Sequence, residues 1–161
     1  FVLPAGPLRE NLNSLKKDNL ILINGMKDIK FEKKLLKINN NLEIFYSQYR
    51  PTNLSQFKNK KLLAIAGIGN PDNFFKLMTQ NNLDIRKKMI FPDHYKFNEN
   101  EIKNICNYAR QKDYHIIMTE KDFYKIDQFK IDGIKYLQVK LEIFNKESFL
   151  KKVNDVYNKK N

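Results

Sequence analysis

The sequence predicts an α/β fold, a three-layer sandwich on a mainly parallel sheet, and three observations carry this prediction. Apolar runs of strand length alternate with segments whose apolar residues recur at helical spacing. Polar loops, several of them with glycine or proline, separate these runs from the helices that follow. The 161 residues, 42% of them hydrophobic, are enough for one compact domain, and no apolar run approaches a membrane span.

The first third of the chain predicts a strand, a helix and a ribbon. Leu20–Ile23 is a short strand of the buried type that ends at Asn24-Gly25, and residues 31–37 carry apolar side chains at helical spacing. Residues 42–49 alternate between two partly polar faces and end at Arg50-Pro51. Because proline cannot donate to a sheet ladder, we expect this ribbon at a sheet edge or in a linker.

From residue 62 onward the pattern is one of repeated strand–helix units. Leu62–Ala66 is the predicted central strand, followed by Asn70 as helix N-cap and Pro71 at the first helical position. Asn98, with Glu101 three residues later, predicts another helix start. The further strands are expected at residues 85–91, 114–118 and 134–139, and the further helices at 102–109 and 149–157.

The net charge of +12 admits a binder of nucleic acid, of an acidic membrane surface or of a phosphorylated substrate. Lysine is interleaved with Asp and Glu on most segments, and Lys, Asn and Ile crowd the whole sequence, as translation of an AT-rich genome produces. Charge alone therefore selects none of these partners. The single cysteine, Cys106, argues against a disulfide scaffold and suits a reducing cytoplasm.

Four polar loops precede predicted helices, where parallel sheets place ligand sites. The first, residues 3–10, brings Arg9 and Glu10 to a helix start after two prolines and a glycine. Such a pair can clamp a phosphate and position a polar partner. The alternative is a helix cap with a surface ion pair.

The second loop, residues 66–71, contains Gly67, Gly69 and Asn70. Backbone amides at a helix N-terminus favour an anion, and the alternative is a tight turn between strand and helix. The loop lacks both the Gly-Lys-Ser/Thr of a P-loop and the third glycine of a dinucleotide fingerprint.

The third loop, residues 91–97, contains Asp93 and His94 between aromatic residues. A carboxylate can fix the tautomer of a histidine and raise its basicity, which suits general-base chemistry. The alternative is a hydrogen-bonded loop histidine. The other histidine, His115, lies inside a predicted strand, where we expect it to be packed, so zinc is not predicted.

The fourth loop, Thr119-Glu120-Lys121-Asp122, follows a predicted buried strand directly. Thr119 is suited to cap the next helix, and Lys121 can reach an anion. The alternative is a capped helix start with solvated charges.

The wording and order of the four loops carry a family resemblance. Leu-Pro-Ala-Gly-Pro-Leu-Arg-Glu, Ala-Gly-Ile-Gly-Asn-Pro with a following Phe-Phe, Phe-Pro-Asp-His and Thr-Glu-Lys-Asp occur in this order. They resemble the successive C-terminal signatures of the tetraacyldisaccharide 4'-kinase family, over essentially the whole chain.

The resemblance implies an ATP-dependent kinase that phosphorylates the 4'-hydroxyl of tetraacyldisaccharide 1-phosphate in lipid A biosynthesis. It also implies Mg²⁺, a monomer and no nucleic-acid partner. The implied location is the cytoplasmic face of the bacterial inner membrane, either peripheral or anchored by an N-terminal segment that this chain lacks. Asp93 and His94 would be catalytic, with His94 the partner of a catalytic aspartate. The residues that would line the substrate and nucleotide cleft are Arg9, Glu10, Gly67, Gly69, Asn70, Thr119, Glu120, Lys121 and Asp122.

The resemblance further divides the chain into the end of the N-terminal lobe (1–41), a two-stranded linker (42–57) and a C-terminal α/β lobe (58–161). The family's P-loop, its Asp-Asp-Gly-Phe-Gln motif, its catalytic aspartate and its membrane segment would all precede Phe1. We therefore expect ATP and Mg²⁺ to be bound mainly by that other half, with no metal held here, and this chain alone to be inactive. Many relatives have a second histidine where this chain has Tyr95.

Two other functions compete with the kinase hypothesis. A basic nucleic-acid-binding α/β module would need exposed aromatic residues beside the lysines, whereas Phe74, Phe75 and Phe149 fall on apolar stripes. A dinucleotide-dependent oxidoreductase would depend on residues 67–70 alone, and residues 85–91 are basic where a ribose-binding carboxylate is needed.

Overall fold

A computed structural model of the chain describes residues 10–17 and 20–158. Its strands are β1 (Leu20–Asn24), β2 (Glu43–Pro51), β3 (Lys61–Ala66), β4 (Asp84–Ile90), β5 (His115–Thr119), β6 (Ile134–Leu137) and β7 (Val139–Ile143). Its α-helices are α1 (Ile29–Ile38), α2 (Pro71–Gln80), α3 (Glu99–Gln111), α4 (Glu120–Ile126) and α5 (Lys146–Asn158). Short 3₁₀ turns occupy Leu12–Lys17, Leu54–Gln56 and Asp127–Phe129. No helix in the described ranges is long and apolar enough to cross a membrane.

The chain forms two compact units. The second unit, Pro51–Lys140, is built on a four-stranded sheet with the order β4-β3-β5-β6. Every neighbouring pair in this sheet is parallel. Each strand from β3 to β5 is followed by a helix that leads to the next strand, which is the arrangement that the alternation of strand and helix patterns predicts.

Strand β3 lies at the centre of this sheet and is buried on both faces. Leu62, Ala64 and Ala66 pack on one face in a cluster with Phe75 and Met78 of α2. The odd-numbered residues of β3 point to the opposite face, whose cluster includes residues of α3 and α4. Helices thus cover both faces, and the predicted three-layer α/β sandwich is confirmed.

The helix starts follow the predicted caps. The Asn70 side chain accepts a hydrogen bond from the amide of Asn73, and Pro71 occupies the first turn of α2. Asn98 accepts from the amide of Glu101 at the start of α3. These bonds satisfy amides that the first helical turn leaves without backbone partners.

The first unit comprises the described residues up to Arg50 and from Leu141 onward. Its sheet has the order β1-β2-β7, with β1 and β2 parallel. Helix α5 packs on β2 through an edge-to-face contact between the rings of Phe45 and Phe149. Among the described residues of this unit, the buried ones are Leu35, Leu42 and Ser47.

Three expectations for the strands need correction. Residues 53–57 do not supply a second linker strand, because Leu54–Gln56 is a 3₁₀ turn, and β2 instead pairs with β1 and β7. Strand β2 is therefore central in its sheet rather than at an edge, and its proline stands at its last position, where no further ladder bond is needed. The strand expected at residues 134–139 ends at Leu137, and Val139 begins β7.

The boundaries of the compact units, after Arg50 and after Lys140, differ from the divisions expected after residues 41 and 57. Strand β2 stays with the first unit up to Arg50, and α5 belongs to that unit although it follows the second in the chain. The assignment of the divisions to kinase lobes stays a prediction.

Candidate functional site

Three predicted loops meet at the carboxyl edge of the four-stranded sheet. They follow β4, β3 and β5, which are adjacent strands in this order. From β3 the chain enters α2 on one face of the sheet, and from β5 it enters α4 on the other. The two connections diverge there, and open parallel sheets bind ligands at such a switch point.

A fully buried carboxylate, that of Asp122, connects the β3 and β5 loops. Its Oδ2 accepts hydrogen bonds from the Gly67 amide and from the Thr119 hydroxyl, both at 2.7 Å. Its Oδ1 lies 2.6 Å from the Nζ of Lys125, which also donates to the Gly67 carbonyl at 3.3 Å. Every oxygen of this carboxylate is therefore occupied within the protein, as burial of a charge requires.

Asp93 and Lys121 connect the β4 and β5 loops nearer the surface. The Nζ of Lys121 lies 3.2 Å from Oδ1 of Asp93, which also accepts from the His94 amide at 2.9 Å. The bond from Lys121, reinforced by the His94 amide, lowers the pKa of the Asp93 carboxyl below its ordinary value, although partial desolvation opposes it. Asp93 is thus held as a carboxylate.

The His94 side chain points into solvent. It is 79% exposed, and its Nε2 lies 3.7 Å from Oδ2 of Asp93. The backbone of His94 has a φ of 60°, in the left-handed region that non-glycine residues seldom adopt. The imidazole can therefore meet a hydroxyl or a second carboxylate from the solvent side, with the Asp93 carboxylate beside it.

The glycines of the β3 loop permit these close approaches. A Cβ atom on Gly67 would lie 3.2 Å from Oδ1 of Asp122, and one on Gly69 would lie 3.3 Å from Oδ2 of Asp93. Both distances are shorter than ordinary van der Waals contacts. A side chain at either position would require the neighbouring carboxylate to shift by a few tenths of an ångström, so glycine suits both positions of the predicted loop.

An aromatic cluster anchors the Asp93–His94 loop on both sides. The rings of Phe91, Tyr95 and Phe97 lie 4.8 to 5.1 Å apart in pairs. The Tyr95 hydroxyl donates to Oε1 of Glu101 at 3.0 Å, a bond that raises the pKa of Tyr95. Tyr95 therefore packs towards α3 instead of offering a second ring beside His94.

The family model described as tetraacyldisaccharide-1-P 4'-kinase matches residues 1–158 of this chain. The chain belongs to this family. A tetraacyldisaccharide 4'-kinase of Pelagibacter ubique (strain HTCC1062) is 33% identical over 156 residues, covering 95% of this chain and 50% of that protein. One from Francisella tularensis subsp. novicida (strain U112) is 34% identical over 153 residues, covering 88% and 45%. The chain spans about half the length of these curated relatives.

A solved structure of the same family has the same fold. The crystal structure of the "apo" form of LpxK from Aquifex aeolicus in complex with ATP matches with a TM-score of 0.62. The match covers 96% of this chain and 48% of that one, at 18% sequence identity. The family resemblance drawn from the four loops is thus confirmed.

The remaining residues of the four family signatures differ in position and in exposure. Arg9 lies outside the described residues, and Glu10 is an exposed residue of the first unit. Glu120 is exposed in the first turn of α4, and Asn70 is exposed while its side chain caps α2. Thr119 is buried and caps α4, with its hydroxyl accepting from the Asp122 amide at 3.1 Å.

Two interpretations of single residues change. Asp122 has no exposed surface, so it cannot line a cleft as predicted, because its carboxylate is consumed by internal partners. His115 is exposed rather than packed, because it is the first residue of β5 and burial begins at Ile116.

Sequence reasoning missed Lys125. It stands one helical turn after Asp122, and its side chain is 24% exposed. The spacing of three residues between an acid and a base on one helix face was a signal that could have indicated this pair.

The described residues, 10–17 and 20–158, contain no group of three or more His, Cys, Asp or Glu side chains able to hold a metal ion. The carboxylates of the site are committed to lysines and amides instead.

Proposed function

We propose that this chain is the C-terminal lobe of a kinase that transfers the γ-phosphate of ATP to the 4'-hydroxyl of tetraacyldisaccharide 1-phosphate. Membership of the family supports this activity, and so do the names of the Pelagibacter and Francisella relatives. The whole reaction is proposed for the full-length protein, since the chain spans about half of those relatives. The protein would then be a lipid A biosynthetic transferase.

The Asp93–His94 pair is the observation that carries the proposal. In the reaction, the 4'-oxygen forms a bond to the γ-phosphorus, the bond to the bridging oxygen of ADP breaks, and the hydroxyl proton must leave. We propose that an aspartate of the other half takes this proton, with the exposed His94 imidazole orienting and stabilising it. Asp93 would fix the orientation of that imidazole.

The cofactors would be held mainly outside this chain. We propose that ATP and Mg²⁺ bind to the other half, with Arg9, Glu10, Gly67, Gly69, Asn70, Thr119, Glu120 and Lys121 on the side of the cleft that this chain provides. The Aquifex aeolicus structure is a complex with ATP, which supports nucleotide use by the family. Because the proposed substrate is a lipid, the protein would work at the cytoplasmic face of the inner membrane, either peripherally or anchored by a segment outside this chain. It would work there as a monomer.

The role of His94 is tested by His94→Ala in the full-length protein. Because general acid–base groups contribute about 10²- to 10⁴-fold, we expect kcat to fall by about that factor while the KM for ATP changes little. The matched control is His115→Ala, which removes the chain's other histidine from an exposed strand end. A kcat within about twofold of wild type in His94→Ala would contradict the proposed role.

The division of labour between the halves is tested on this chain alone. We expect no Mg²⁺-dependent ATP hydrolysis above the rate of buffer, because the phosphate-binding loop is expected in the other half. Turnover that scales with the concentration of the purified chain would contradict this expectation.

The three phenylalanines Phe74, Phe75 and Phe149 give the nucleic-acid-binding alternative no support, although Tyr49 and Tyr124 are exposed. Phe74 and Phe75 are buried beside β3, and Phe149 packs on Phe45. Stacking on bases needs such rings at the surface beside basic residues. Tight RNA binding that weakens steeply with salt would revive this alternative.

A further inference from the structure

The buried Asp122 carboxylate joins the loops of the candidate site without reaching its surface. We propose that Asp122 is the positioning residue of the Asp93–His94 loop, acting through the first turn of α4 and Lys121. The catalytic consequence of this role depends on the function proposed above, whereas the positioning itself does not.

The hydrogen bonds of Asp122 distinguish this role from ordinary helix capping. In a capping box, the third helical residue accepts from the backbone amide of the N-cap residue. Here Oδ2 of Asp122 accepts instead from the Gly67 amide, 55 residues away, and from the side-chain hydroxyl of Thr119. The carboxylate therefore holds a separate loop rather than its own helix end alone.

The first turn of α4 transmits this constraint to the surface. Asp122 and Lys121 are successive residues, so they point in different directions from the same turn. Asp122 is buried against Gly67, while Lys121 extends to Oδ1 of Asp93. When Asp122 is held in place, the backbone of Lys121 is held as well, and the Lys121 side chain starts from a fixed position to reach Asp93.

The charges of the network form two compensated pairs. The Nζ of Lys125 lies 2.6 Å from Oδ1 of Asp122, and the Nζ of Lys121 lies 3.2 Å from Oδ1 of Asp93. Without the Asp122 charge, Lys125 would lose its carboxylate partner, so a variant at this position disturbs the pair inside the site as well as the loop above it.

The positioning role is tested on the chain itself by NMR titration of the Asp93 carboxyl carbon. In Asp122→Asn we expect the pKa of Asp93 to rise from its lowered value, because Lys121 no longer holds it. Loss of a nearby negative charge would by itself lower this pKa, so a rise has the opposite sign and reports the displaced hydrogen bonds. The matched control is Asp127→Asn, which removes an exposed carboxylate beside Lys130, and there we expect no change.

A second pair of variants covers the case in which Asp122→Asn does not fold. Thr119→Val removes the hydroxyl that donates to Asp122, and Thr119→Ser retains it. We expect the pKa of Asp93 to rise in the valine variant and to return to the wild-type value in the serine variant. A pKa of Asp93 that stays at the wild-type value in folded Asp122→Asn or Thr119→Val would overturn the proposal.

Kinetics of the full-length protein separate this proposal from the proposed function. We expect Asp122→Asn to lower kcat by at least about tenfold, with the KM for ATP little changed, because misplacing a catalytic group slows chemistry more than binding. If the pKa of Asp93 rises and kcat does not fall, the positioning role stands and the catalytic role of the Asp93–His94 loop fails.

Discussion

The positions of single residues in the site depend on hydrogen-bond partners that lie far away in the sequence. The signature Thr-Glu-Lys-Asp reads locally as a helix start, and Thr119 does cap α4. The carboxylate of its last residue, Asp122, nonetheless accepts a hydrogen bond from the amide of Gly67, which lies on another loop. Glycine suits position 67 because a Cβ atom there would lie 3.2 Å from that carboxylate and would require it to shift.

At this scale, Lys121→Met should raise the pKa of Asp93 towards the ordinary carboxyl value of about 3.9, since the largest cause of its lowering is removed. The Lys121–Asp93 ion pair stabilises the fold at pH values above the ordinary carboxyl pKa. This contribution is lost as the pH falls through the lowered pKa that Asp93 has in the folded state. Wild type and variant should therefore converge in melting temperature in strong acid. Lys96→Met, which removes an exposed lysine of the same loop, serves as the control. An unchanged pKa of Asp93 in Lys121→Met would contradict the assignment of the ion pair.

Individual elements follow the patterns of the sequence where burial is complete. Strand β3 is apolar on both faces because helices pack on each. The edge strand β4 carries Arg86, Lys87 and Lys88, and such charges protect an open edge from pairing with other chains. Lys88 also places its Nζ 5.0 Å from the centroid of the Phe75 ring.

The central position of β3 predicts a large cost for truncation there. Ile65→Ala should lower the free energy of unfolding by about 2 to 5 kcal/mol, because the fully buried side chain leaves a cavity. The matched control, Ile90→Ala at the 58% exposed end of β4, should change it by about 0.5 kcal/mol or less. Denaturant unfolding measures both, and equal costs would contradict the assigned core.

The ribbon of residues 42–49 shows where element patterns fail. Its alternation correctly indicated a strand, β2, but the same alternation suits an edge strand or a central one. Its neighbours come from residues 20–24 and 139–143, and the second of these lies about ninety positions later in the chain. No local feature of the ribbon specifies pairing over such a separation.

The two compact units differ strongly in how much apolar surface they bury. Among residues 10–17 and 20–158, all the buried hydrophobic residues except Leu35 and Leu42 lie in the second unit. The first unit exposes large apolar side chains on its helices, among them Leu150 and Val153. Burial of apolar area is the main stabilising contribution, so the units should differ in stability.

Hydrogen exchange of this chain should reveal that difference. We expect the slowest amides in β3 and β5, and exchange at least about tenfold faster in β1 and β2, which corresponds to about 1.4 kcal/mol in opening free energy. Native-state exchange followed by NMR at several denaturant concentrations gives both values. Equal protection of β2 and β3 would show that the units unfold together.

The sequence by itself determined the α/β class, the order of strands and helices in Pro51–Lys140, the caps at Asn70, Asn98 and Thr119, and the family. These follow from local periodicity, capping chemistry and motif wording, which depend on neighbouring residues. Only the tertiary structure decided that Asp122 is buried, that Lys125 is its partner and that Lys121 holds Asp93. Those contacts join loops after three different strands, and they exist because parallel pairing brings the carboxyl ends of those strands to one edge.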